Sequence, residues 1–182
     1  MKNKCFFIVI TLLYAECLFA GIKTDTKSIV SQRAYYRVID SELQGKPKSY
    51  TLTVWMTGNM LALEKAGNSS IALWHNWQTS KPTLFQVFKE HDYRIEFERI
   101  HTQKHQRLLA QLQALLQDGS FVQRATINNK QLILQRLIKD DMVELQINRW
   151  SDYKTYDYAD IGDNEADPVL AKLIHQGFIQ KI

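Results

Sequence analysis

Cysteine is nearly missing from this 182-residue chain, and its two copies, Cys5 and Cys17, both fall in the opening segment. With that segment set aside, disulfides, thiolate zinc sites and cysteine nucleophiles are excluded. Stability then has to come from a packed core. Seven glycines and three prolines leave little room for disordered linkers. The glycines stand singly and mostly at turns, so the chain has no phosphate-cradling loop, and no Gly-x-Ser-x-Gly elbow supports serine catalysis. Charge of one sign is also scarce. A formal net charge of +4 is not the signature of a nucleic-acid binder.

Long apolar runs are limited to one, from Cys5 to Tyr14, preceded by Lys2 and Lys4 and followed by Glu16 and Ala20. A charged start, a short apolar run and a small-residue exit form a secretory signal. The run is too short for a good bilayer span, which disfavours a retained anchor. Cleavage near Ala20 and export to the periplasm or beyond are expected, although Leu18 is not the ideal small residue before the cut. Glu16, directly before Cys17, argues against lipidation there. Residues 1–20 are thus read as a leader and residues 21–182 as a single globular, β-rich domain. A domain of that length buries about 70% of the surface its unfolded chain exposes.

The domain is organised around Tyr50 to Arg99, where five short runs rich in β-branched, aromatic and aliphatic residues alternate with turn residues. This pattern predicts an antiparallel meander. Tyr50, Leu52, Val54 and Met56 share one face of the first run and Trp55 the other. Gly58-Asn59 and Gly67-Asn68 are tight-turn candidates. In the run from Ser70 to Trp77, strict alternation puts Ile71, Leu73, His75 and Trp77 on one face. Leu84 to Lys89 and Tyr93 to Arg99 complete the block, and Ala34 to Asp40 supplies an earlier strand after a polar lead-in. The Gln44 to Pro47 stretch is turn chemistry.

At Thr102 the period lengthens. Leu108, Leu109, Leu112, Leu115 and Leu116 fall at helical spacing, with Thr102 placed to cap the helix and Gly119 to stop it. A second β block follows over Phe121–Ile127, Gln131–Ile138 and Met142–Trp150, the last because Val143, Leu145 and Ile147 alternate with polar residues. Asp167-Pro168 opens a short C-terminal helix ending near Gly177, and Phe178 to Ile182 is apolar enough to dock.

Candidate chemistry is sparse. Asp157, Asp160, Asp163, Glu165 and Asp167 invite a calcium reading, but the spacing is not that of an EF-hand, and carboxylates before a helix complement its dipole without a metal. His101 and His105 lie four apart, yet two histidines are too few for zinc unless His75 or His91 joins them. Glu96 and Glu98 fall on a strand's polar face. No metal, cofactor or catalytic residue is therefore assigned. Trp55, Trp74, Trp77 and Trp150 divide between sheet faces, which suits either core packing or a ligand surface with at least one indole near the exterior.

An exported, cysteine-free domain with a long meander and a leucine-rich helix resembles, in architecture, the half-barrel of the periplasmic lipoprotein carriers (the Lol system). The tail from Asp157 to Phe178 is similar to the endings of uncharacterised periplasmic proteins of Gram-negative bacteria. The resemblance implies an α+β fold: an antiparallel β-meander curved as a half-barrel around one amphipathic helix, plus a short C-terminal helix. It also implies an apolar cavity between sheet and helix, unless the helix fills the concavity. The expected function is non-enzymatic binding of an apolar or lipid-like ligand, with Leu52, Val54, Leu73, Trp77, Ile95, Phe97 and Leu112 as the ligand-binding candidates. Two other readings stand beside it. One is an envelope protein-protein interaction or scaffold module working through Tyr153 to Asp167, and the other is an enzyme with no residue to name.

Overall fold

The computed structural model describes residues 30–40, 48–97, 102–159, 161, 166–168 and 170–171. The expected leader, the expected Gln44 to Pro47 turn, His101 and the segment after Ala171 lie outside the described residues, as do most of the acidic loop and of the expected C-terminal helix.

The chain is α+β, with a mostly antiparallel sheet and, as complete elements among the described residues, two helices. Six strands run in hairpin succession: β1 (Gln32–Asp40), β2 (Lys48–Met56), β3 (Met60–Lys65), β4 (Ser70–His75), β5 (Thr83–Phe88) and β6 (Tyr93–Phe97). The helix α1 (Thr102–Gln113) then leads through a small hairpin, β7 (Leu116–Gln117) and β8 (Ser120–Phe121), to β9 (Arg124–Ile127) and β10 (Lys130–Lys139). A second helix, α2 (Asp141–Ser151), is followed by β11 (Lys154–Asp157). The nine-stranded sheet has the order β11-β6-β5-β4-β3-β2-β1-β10-β9. Among the described residues it is open, with β9 and β11 as its outer strands, and only the β11–β6 pair is parallel. Each helix connects strands on opposite sides of the meander, α1 across one face and α2 across the other.

Two apolar cores result, one per face. On the α1 face Ala34, Tyr36, Val54, Met56, Leu61, Trp74 and Ile95 meet Leu109 and Leu112 of the helix. On the α2 face Trp55, Ala62, Ile71, Leu73, Phe85 and Val87 meet Val143, Ile147 and Trp150. A sheet covered on both sides explains the unbroken burial of Ile71 to Trp74 and Leu84 to Phe88, since neither face is left to water.

The stretch Met142–Trp150 is a helix, not the expected strand. Val143, Ile147 and Trp150 lie at helical spacing and are buried, while Leu145 is 59% exposed. Asp140 decides the matter locally, because its carboxylate accepts from the Met142 N–H at 2.9 Å as an N-cap. Asp141 and Glu144 in the first turn favour the positive end of the helix dipole. The fold therefore has two amphipathic helices on the sheet, where the sequence led to an expectation of one.

Turn chemistry differs from expectation at two places. Gly58 and Asn59 are not at positive φ; the hairpin there is closed by Thr57, whose N–H reaches the Met60 carbonyl at 2.8 Å and whose Oγ1 accepts from the Met60 N–H at 3.2 Å. Gly119 does not stop α1, which ends at Gln113. With Asp118 it forms the two-residue β7–β8 turn, both residues at positive φ (51° and 75°). Asn128 and Asn129 (47° and 60°) do the same between β9 and β10, as a two-residue hairpin matched to strand twist requires.

All four tryptophans are buried, at 2% to 7% exposure, so of the two settings weighed for them core packing is the one found, and no indole is left near the surface. The second helix is the reason, since it covers Trp55, whose ring meets the edge of Trp150 at 5.0 Å and carries the Arg33 guanidinium at 4.5 Å. Trp77 is on the α1 face with Trp74, not on that of Ile71 and Leu73. Asn76 at φ 52° breaks the strand alternation just before it.

Candidate functional site: a pocket between α1 and the sheet

On the α1 face the core is densely filled towards Trp77, Leu84 and Phe97. It opens at the other end of the strands. There β4 presents Ser70 and Ala72, small side chains between larger neighbours, and α1 passes above with Leu108, Gln111 and Leu112. The result is a pocket of about 380 Å³, inside the range of about 300–1,000 Å³ typical of small-molecule sites. Helix α1 does not fill the space over the sheet.

Register explains the composition of the floor. Tyr50 lies opposite Val38, Val38 opposite Leu132, and Leu63 opposite Ala72. Because facing residues of paired strands share a sheet face, these side chains form one apolar surface, of which Tyr50, Leu52 and Leu63 are only half-buried. Gln86, 2% exposed, is the polar group in the floor, and its Nε2 donates to Ser70 Oγ at 2.9 Å.

The mouth is polar. Lys65, Asn68, Asn128 and Lys130 line it, and among the described residues no carboxylate does. The Lys130 ammonium meets Asp40 at 3.2 Å. The Lys65 ammonium lies over the Tyr50 ring, 4.6 Å from its centroid, an arrangement worth about 0.5–1 kcal/mol at an exposed site.

Of the residues chosen from the sequence, Leu52 and Leu112 line this pocket. Val54, Trp77, Ile95 and Phe97 share its face but pack in the filled core. Leu73 points to the α2 face. Strand parity around Leu52 points to Tyr50, whereas Lys65, Leu63 and Lys130 require knowledge of which strands pair.

The other sequence candidates have structural settings. Tyr156 donates to Asp167 Oδ2 at 2.8 Å, Tyr93 reaches the same oxygen at 3.4 Å, and Tyr158 stacks on Phe97 at 5.3 Å. The Asp167 Oδ1 atom accepts from the Leu170 N–H at 3.3 Å, as a helix cap does. The His105 ring stands edge-on to Phe97 at 5.6 Å. His75 and Ser151 are paired at 3.2 Å, with Ser151 also donating to the Ile147 carbonyl. Burial, then the charge of Arg94, holds the His75 imidazole below its ordinary 6.5. Among the described residues no three His, Cys, Asp or Glu side chains converge as a metal site requires, and no helix is long and apolar enough to cross a membrane.

No family model matches the chain, and no curated protein matches it.

Proposed function

We propose that this protein is an exported, non-enzymatic binding protein that takes an apolar, lipid-like chain between α1 and the sheet. The single observation that carries the reading is the pocket itself: buried and half-buried aliphatic and aromatic side chains under an amphipathic helix, reached through a polar mouth. Apolar lining with a few polar groups at one end is the composition of a site for an amphiphile. The sheet, read as a half-barrel open towards α1, keeps the resemblance to the periplasmic lipoprotein carriers, and the N-terminal leader supports export to the periplasm. Such a site binds by removing apolar surface from water, at about 25 cal/mol per Å², and needs no reactive group.

The test is native mass spectrometry with lipid extraction on protein purified without detergent. The reading expects a co-purifying apolar mass that is lost in Ala72→Leu and Leu108→Trp, two substitutions that occupy the pocket from floor and roof. A wild-type protein that carries no apolar mass and takes up none from added fatty acid would refute it.

A further inference from the structure

Building on that reading, we infer that the ligand is an amphiphile with an anionic head, anchored at the pocket mouth by Lys65. The argument starts from the balance of charge around the opening. Among the described residues two ammonium groups and no carboxylate line the pocket. One of them, Lys130, has its charge offset by Asp40. The other, Lys65, has no ion pair with a carboxylate among the described residues.

Lys65 is also held in place. It ends β3 directly opposite Leu52 of the pocket floor, and its ammonium rests on the Tyr50 ring. Tyr50 itself lines the pocket. The cation therefore sits where the apolar floor stops and water begins, which is where the head of a chain lying along that floor arrives. Asn68, in the turn that follows β3, and Asn128, at positive φ in the β9–β10 turn, bring side-chain amides to the same rim. Their N–H groups suit the oxygens of a carboxylate or phosphate. A neutral head leaves the Lys65 ammonium to water and the Tyr50 ring, whereas an anion gains a charge-assisted hydrogen bond there.

The experiment compares dodecanoate with dodecan-1-ol, which share a chain and differ in head charge, by calorimetric titration of the full protein below the micellar range. The wild type is expected to bind dodecanoate about fivefold more tightly than the alcohol, the upper range of a solvent-exposed ion pair. Lys65→Met, which keeps the apolar stem and loses the charge, should bring dodecanoate to the affinity of the alcohol and leave the alcohol unchanged. Lys65→Arg should retain the preference, and added salt should shrink it. Equal binding of the two ligands to the wild type, or a preference that survives in Lys65→Met, overturns the anionic head while the pocket stands. Equal loss of both ligands in Lys65→Met, with unchanged circular dichroism, makes Lys65 a packing residue and also overturns it. Binding of neither ligand to the wild type removes the pocket reading itself.

Discussion

Ala72 and Ser70 show how much a small side chain can decide. Both stand on the α1 face of a strand whose next residue on that face is Trp74, and the space they leave is the space a ligand would use. Leu108→Trp reaches into the same space from a half-buried helix position. It should therefore abolish uptake of an apolar chain while moving the melting temperature little, which calorimetry on the same sample can check. His75 offers a prediction of another kind. Its folded pKa is lowered, so the folded state binds fewer protons than the unfolded chain between that lowered value and 6.5. Stability then rises with pH across that window and is lost as pH falls into it. Melting curves from about pH 7 to about pH 5 should show a shallower acid-side fall in His75→Gln than in the wild type, and identical slopes would contradict the assignment.

At the level of elements, α2 is where local pattern misleads. Val143, Leu145 and Ile147 alternate as in a strand, and Val143, Ile147 and Trp150 repeat as in a helix. In so short a window both periods fit. The cap at Asp140 separates them, and Asp140→Ala should cost about 1 kcal/mol in denaturant unfolding. Trp150, buried against Trp55, binds the helix to the sheet; Trp150→Ala should cost about 3–5 kcal/mol, read in the same experiment. The meander from β2 to β6 was legible because each run carries its own period and is bounded by its own turns. Trp77 was misplaced because a single positive-φ residue, Asn76, resets the alternation without changing residue type in any telling way. The Thr57 closure of the β2–β3 hairpin was equally hidden, since Gly58-Asn59 advertises a different turn.

For the whole molecule, the sequence conveyed a meander with a helix on it but not that β10 pairs with β1 or that β11 returns beside β6. The pocket depends on that pairing. Its floor joins Val38 and Leu132 to Tyr50, and Leu63 to Ala72, bringing residues from β1, β2, β3, β4 and β10 together. No single run carries the signal for Lys65 and Lys130 sharing a mouth. Leu52 and Leu112 line the pocket because strand alternation and helical spacing each put an apolar side chain on the face that the two elements share. The connectivity adds a further consequence: α1 joins β6 to the hairpin and strands beyond β1, so it spans the face that holds the pocket, while α2 returns across the opposite face to place β11 beside β6. Among the described residues one core is thereby closed and the other left partly open.

The most direct measurement is the titration of a fluorescent fatty-acyl probe into the wild-type protein and into Ala72→Leu, with circular dichroism to confirm that both are folded. Saturable binding to the wild type that is lost or strongly weakened in Ala72→Leu is the result expected of a chain-binding pocket under α1. No saturable binding to the wild type, or equal binding to both proteins, would contradict it.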